Sequence, residues 1–162
     1  MRQQMTIAFL IVPLMLFVSC ETPVLFEDSI TLAQSIPASH FFSFSTPGNM
    51  HGYSGWGTDS FVGEYTSDNM TLLFDLGIYS EKPTDLVGMV NNQQTFFVQR
   101  RQAFVTFGYA PGVDSVRPYF AGVYFPVVSD TLRWVLGMYA FGKVGASQDT
   151  ALAIFRSIKF TM

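Results

Sequence analysis

The chain has 162 residues, 49% hydrophobic and 16% aromatic, with nine basic against twelve acidic residues and a formal net charge of −3. That length makes one domain with a real core, and a single cysteine excludes an intramolecular disulfide, a thiolate metal cluster and a redox pair. Nucleic acid is not expected as a partner, because the basic residues are scattered in sequence, Arg100-Arg101 being the only adjacent pair, and form no stripe to neutralise phosphates.

The chain opens on a short cationic start at Arg2, followed by Met5 to Val18, apolar except for Thr6 and Pro13. These 14 residues suit the core of a signal peptide and fall short of the roughly 20 that a spanning helix needs. The run closes on Phe17-Val18-Ser19-Cys20, a lipobox-like ending with phenylalanine in place of the usual leucine and a small residue before the cysteine. The expectation is a lipoprotein signal over residues 1–19 and lipidation of Cys20, which tethers the chain to a membrane of a bacterial cell envelope on its periplasmic or extracellular side. Removing the leader leaves 143 residues and takes the formal charge to −4. Residues 20–38, with small, polar and proline residues between a few apolar ones, read as a tether, and residues 39–162 as the domain.

Phe42 and Phe44 alternate with serines, as in a half-buried strand ending at Thr46-Pro47-Gly48. Asn49 to Gly57 reads as a glycine-aromatic loop, since three glycines in six residues oppose a regular element. Phe61–Tyr65 and Met70–Tyr79 read as a hairpin about Thr66-Ser67-Asp68-Asn69, with Met70, Leu72, Phe74, Leu76 and Ile78 on one face. Thr95–Gln99 and Gln102–Tyr109 follow as a meander. Pro118–Val128 and Thr131–Phe141 read as long strands joined through Ser129-Asp130.

The period then changes. Ser147 is placed to cap a helix with Asp149 in its first turn, and Ala151, Ile154, Phe155 and Ile158 form an i, i+3, i+4, i+7 stripe. Arg156 and Lys159 suit its C-terminal end, and a last strand around Ile158 to Thr161 can follow. The fold class expected is α+β: an antiparallel sheet of about six to eight strands covered by a C-terminal amphipathic helix.

Two stretches carry a resemblance. Ala151 to Phe160 resembles the ending of bacterial PsbP/Mog1-like domains, where a short helix passes into a last strand through a Ser-Ile or Ser-Phe step. Asp59-Ser60-Phe61-Val62-Gly63 and Phe74-Asp75-Leu76-Gly77-Ile78-Tyr79-Ser80 are similar to paired segments of exported lipoproteins, with Phe61 and Leu76 standing for tyrosines. The resemblance covers about a third of the mature chain. It implies a helix-covered antiparallel sheet serving as a binding or assembly module, and it brings no catalytic residues with it.

Residues with chemistry are few. His51, Asp59 and Ser54 or Ser60 lie close in sequence, yet a catalytic triad is defined by geometry, and Gly52-Tyr53-Ser54-Gly55-Trp56 is not G-x-S-x-G. His40 and His51 are in no metal-binding spacing, so no metal or other cofactor is expected. Glu64 and Asp75 form a candidate carboxylate pair on one face. With Tyr65 opposite Met70, Asp75 opposes Ser60, which suits a carboxylate accepting a hydrogen bond from Ser60 or from a loop amide, and the two acids lie ~13 Å apart. That is wider than the roughly 5–9.5 Å of glycosidase pairs. Tyr53 and Trp56 are the candidate ligand contacts, as stacking faces in a glycine-rich loop. The expected function is a membrane-anchored, non-catalytic binding or assembly module with an unnamed protein partner. The alternatives are a hydrolase using Asp75, Glu64 or His51, and a small-ligand carrier for sugar or lipid.

Overall fold

A computed structural model describes residues 30, 32, 34–83, 92–129 and 131–161. The lipobox segment ending at Cys20 lies outside the described residues. The elements run β1 (Gln34–Ile36), β2 (Phe42–Thr46), β3 (His51–Trp56), β4 (Ser60–Thr66), β5 (Met70–Gly77), β6 (Asn92–Val98), β7 (Arg101–Tyr109), β8 (Tyr119–Phe125), β9 (Val135–Gly142), α1 (Ala146–Arg156) and β10 (Lys159–Phe160).

Seven strands form one antiparallel sheet in the order β3-β4-β5-β9-β8-β7-β6. Each of its two halves is a meander, β3 to β5 and β6 to β9, and the last strand of one pairs with the last strand of the other, Leu72 opposite Ala140 and Phe74 opposite Met138. A second sheet, β1-β2-β10, has only three short strands. The expectation of an α+β fold with six to eight strands under a helix is therefore corrected. Ten strands in two sheets hold 51% of the described residues, and the architecture is more nearly all-β.

The reason lies in what covers the inner face of the large sheet. Leu72, Phe74 and Leu76 of β5, Leu136 and Met138 of β9, Val123 and Phe125 of β8 and Val105 of β7 all point there and are buried. An 11-residue helix is too short to cover such a width. It sits over β8 and β9, where Ala121 pairs with Ala140 and leaves room for Ala151, Ile154 and Phe155. The small sheet covers the other half: the rings of Phe42 and Phe44 stand 5.2 and 5.9 Å from that of Phe74. Phe42, Phe44, Ala151, Ile154 and Phe155 therefore fill the layer between the large sheet and its cover.

Several local expectations change with it. Within residues 49–57, His51–Trp56 form an edge strand rather than a loop, because β3 pairs with β4 from His51 opposite Thr66 to Trp56 opposite Phe61. β1 lies within the segment read as tether, with Ile36 and Ala38 buried, so the folded part reaches back to Gln34. β6 and β7 join through a two-residue turn, Gln99 and Arg100, both left-handed at φ 48° and 68°. β8 and β9 are shorter than expected, and a longer connection runs from Pro126 to Trp134. The Arg101 Nε donates to the Val128 carbonyl at 2.8 Å and holds that connection. Ser147 does not cap α1. The N-cap is Gly145 without a side-chain hydrogen bond, and Ser147 is buried in the first turn against Gly142. The hydroxyl that matters is Ser157, at the other end: its Oγ accepts from the Ser45 N–H at 2.8 Å and donates to the Ile154 carbonyl at 2.6 Å, fixing the helix to β2.

The outer face of the large sheet has its own cover. After β5 the chain crosses it, with the Tyr139 hydroxyl donating to the Glu81 carbonyl, Pro83 lying against Gly122, and the Lys82 Nζ 5.8 Å from the centre of the Tyr124 ring. That strap, with Phe120, Tyr139 and Phe141 beneath and beside it, explains why β9 is buried on both faces.

One glycine shows how tightly the inner face is filled. A Cβ on Gly63 would stand 2.4 Å from the Phe74 ring and 2.9 Å from the Tyr53 carbonyl. Gly63→Val is expected to cost about 1–3 kcal/mol through overpacking, seen as a lower midpoint in thermal unfolding.

Candidate functional site

Antiparallel strands bring sequence-distant connections to the same end of a sheet. One end, here termed the upper rim, gathers the ends of β3, β5, β6 and β8 and the starts of β4, β7 and β9. It carries an aromatic cluster. The Trp56 ring lies 5.3 Å from Phe61 and 5.9 Å from Trp134, and Trp134 meets Phe41 edge-on at 4.5 Å. Trp56 is 62% exposed, and Ile78, Tyr79, Val127 and Leu132 at the same rim are exposed as well. Exposed apolar groups gathered at one place mark an interaction surface more than single ones do.

The two expected ligand contacts are thus separated. In β3, Tyr53 opposes Glu64 and Trp56 opposes Phe61, three positions apart and on opposite faces of the sheet. Trp56 belongs to the rim, and Tyr53 stands on the outer face near Glu64, Asp75 and Tyr139 around a recess of about 280 Å³. The sequence reasoning missed Trp134, Phe41 and Tyr79. Counting strands and turns places each of them just beyond a strand end on one side, and that signal was available once the strands were assigned.

The carboxylate pair needs a corrected register. Tyr65 opposes Leu72, and Asp75 opposes Val62, a shift of two residues from the expected pairing. The face is unchanged because side chains alternate with a period of two, but Glu64 and Asp75 become diagonal neighbours, about 7–8 Å apart at the backbone. Ser60 opposes Gly77, so the expected Asp75–Ser60 hydrogen bond is replaced. The Ser80 hydroxyl bonds the Asp75 carbonyl, while the Asp75 Oδ1 is sealed from solvent without a partner.

The imagined triad is dispersed. His51 begins β3 at the lower end, Asp59 follows β3 at the upper rim ~17 Å of strand away, and the Ser54 hydroxyl donates to the Ala38 carbonyl. His40 and His51 are both exposed, one before β2 at the upper rim and the other at the lower end. Among the described residues no three His, Cys, Asp or Glu side chains converge as a metal site. At the lower end His51, Asp68, Arg117 and Lys143 line an open polar recess of about 450 Å³. On the outer face an apolar groove of about 300 Å³ lies between Lys82, Pro83, Phe104, Thr106 and Tyr124, and Pro83 on its wall is the last described residue before Asn92.

No family model, no curated protein and no solved structure matches this chain. Among the described residues no helix is long and apolar enough to cross a membrane.

Proposed function

We propose that the chain is an exported lipoprotein of a bacterial cell envelope, held to a membrane by acyl chains on Cys20, and that its β-rich domain is a non-catalytic binding module. The observation that carries this is the ending Phe17-Val18-Ser19-Cys20, after an apolar run of signal-peptide length, on the chain's single cysteine. The thiol has no second cysteine with which to bond, and lipidation gives it a use. The binding surface on this reading is the aromatic rim, where the exposed Trp56 ring stands beside the partly buried Trp134 and the exposed Tyr79 follows β5, whereas His51 begins β3 and Asp59 lies beyond its other end, too far apart to act together.

The test is Cys20→Ala. Metabolic labelling with a palmitate analogue should mark the parent chain and not the variant, and the variant should leave the membrane fraction or retain its leader. Each buried CH₂ contributes roughly 0.8 kcal/mol, so loss of all acyl chains moves the partition by orders of magnitude. Continued labelling of the variant would refute the assignment.

A further inference from the structure

The eight basic residues beyond the leader are scattered in sequence and concentrated in space. Arg100 and Arg101 form and follow the β6–β7 turn, and Arg133 precedes Trp134, all at the upper rim. Helix α1 starts beyond the far end of β9 and runs back, so Arg156 at its last residue returns to the same end, its guanidinium 5.9 Å from the centre of the Phe96 ring. Lys159 in β10 lies beside Gln99, and Lys82 lies over Tyr124 on the outer shoulder. Six of the eight therefore ring one end of the domain; the remaining two, Arg117 and Lys143, line the lower recess. Of the described acidic residues Asp59 and Glu81 share the upper rim, Asp75 lies two positions below it on β5, Glu64 stands mid-strand on β4, and Asp68, Asp114 and Asp149 lie at the other end. Glu21, Glu27, Asp28, Asp85 and Asp130 fall outside the described residues.

Arg100 adds an independent observation. Its φ of 68° is in the left-handed region, where a residue with a Cβ costs about 1–2 kcal/mol more than in a right-handed conformation and where two-residue hairpins favour glycine. An exposed arginine at that tip keeps a cation at the rim despite a cheaper alternative.

From these observations the geometry points to a docking face for an anionic bilayer surface: the upper rim seats Trp56, Trp134, Tyr79 and Ile78 at the headgroup level while the ring of cations meets acidic lipid. This deepens the reading above and rests on it. Tryptophan and tyrosine favour the membrane interface, and juxtamembrane cations add attraction that falls off within a Debye length. The tether permits the orientation. β1 begins with Gln34 opposite Thr46, away from the rim. Leu32 packs against the core, and the 12 steps of chain from Cys20 to Leu32 span up to about 40–43 Å, against ~26 Å for the longest central strands.

The chain supplies its own probe, because Trp56 and Trp134 are its only tryptophans and both belong to the rim. The full acylated chain is reconstituted in vesicles of phosphatidylcholine alone or with phosphatidylglycerol, and tryptophan emission is followed with bilayer-embedded brominated lipid and with aqueous acrylamide as quenchers. In the anionic vesicles the emission should shift to the blue, bromolipid should quench it and acrylamide should lose access. Arg133→Gln and Arg100→Gly should each reduce the docked-to-undocked ratio about five-fold. Arg100→Gly should at the same time raise the midpoint of urea unfolding, so a docking loss there does not trace to a damaged fold. If the chain floats with both vesicle types but its tryptophans stay equally open to acrylamide, the docking face is overturned while the anchor stands. If it does not float, the anchor falls and the docking face with it. A blue shift produced by duplex DNA and not by vesicles would assign the cations to nucleic acid and overturn the proposal.

Discussion

Phe74→Ala is expected to lower the unfolding free energy by about 3–5 kcal/mol, the range for emptying a buried aromatic site. Phe74 is 2% exposed, and its ring is the point at which three parts of the fold meet. Phe42 and Phe44 of the small sheet stand 5.2 and 5.9 Å away, Phe61 of β4 stacks at 6.0 Å, and the ring edge occupies the space over Gly63. Alanine removes the partner of all of them. Gly63 offers no side chain to fill the void, and the neighbouring strands are hydrogen-bonded on both sides, so collapse is limited. Domains of ordinary stability hold about 5–15 kcal/mol in total, so most of the margin goes. Urea denaturation of the chain in detergent, followed by far-UV circular dichroism, measures the loss. Leu73→Ala is the control, since Leu73 is the half-buried neighbour on the outer face of the same strand. It should cost clearly less, and equal losses would contradict the assignment of faces.

The faces themselves were legible. The alternation from Met70 to Leu76 puts every second residue in the core, as the burial of Met70, Leu72, Phe74 and Leu76 bears out, and Ala103 and Val105 follow the same rule, but Ile78, expected on the same face, lies beyond the end of β5 and is exposed. What local pattern does not contain is pairing. The β4–β5 turn holds three residues, Ser67 to Asn69, instead of four, and the register moved by two. Parity survived the change, but the distance between Glu64 and Asp75 did not. β10 lies within the last strand expected around Ile158 to Thr161, whereas β1, in the segment read as tether, has three residues, too few for any period to show; both are strands because β2 lies between them. β3 was hidden by its glycines. A Cβ on Gly52 would stand 1.9 Å from the Glu64 carbonyl oxygen, so the residue that suggested a loop is one that lets two strands approach.

The candidate site was legible in pieces only. Trp56 was recognised and Tyr53 was joined to it, but three steps along a strand put them on opposite faces. The basic residues were read as scattered, which is true of the sequence. Their clustering follows from topology: turn positions and the last turn of a helix that runs back along the sheet come to one end, whatever their separation in sequence.

Phe160→Ala is expected to cost a comparable amount, about 3–5 kcal/mol, but with a local signature. Phe160 is 6% exposed, its ring meets Phe125 edge-on at 5.1 Å, and the Arg101 guanidinium lies 4.7 Å above it. The strand it belongs to is two residues long and is held by few bonds: the Phe160 N–H donates to the Gln99 Oε1 at 2.7 Å and the Thr161 N–H to the Phe41 carbonyl at 3.0 Å. Such a strand has no stability of its own. The buried ring keeps it in place, and through it the open side of β2 stays paired, with Phe160 opposite Phe42. Arg101 links the same ring to the Pro126–Trp134 connection through its bond to Val128. Removing the ring should therefore release β10, loosen β2 and mobilise the connection that carries Trp134, while β4, β5 and β9 stay protected. Hydrogen exchange read by mass spectrometry distinguishes this from a uniform loss. Phe160→Leu, which keeps most of the volume, should restore protection in β2 and β10 in part. Uniform deprotection in both variants would show that the small sheet and the large sheet unfold as one unit, and that β10 is a passenger on the core instead of the clasp that closes it.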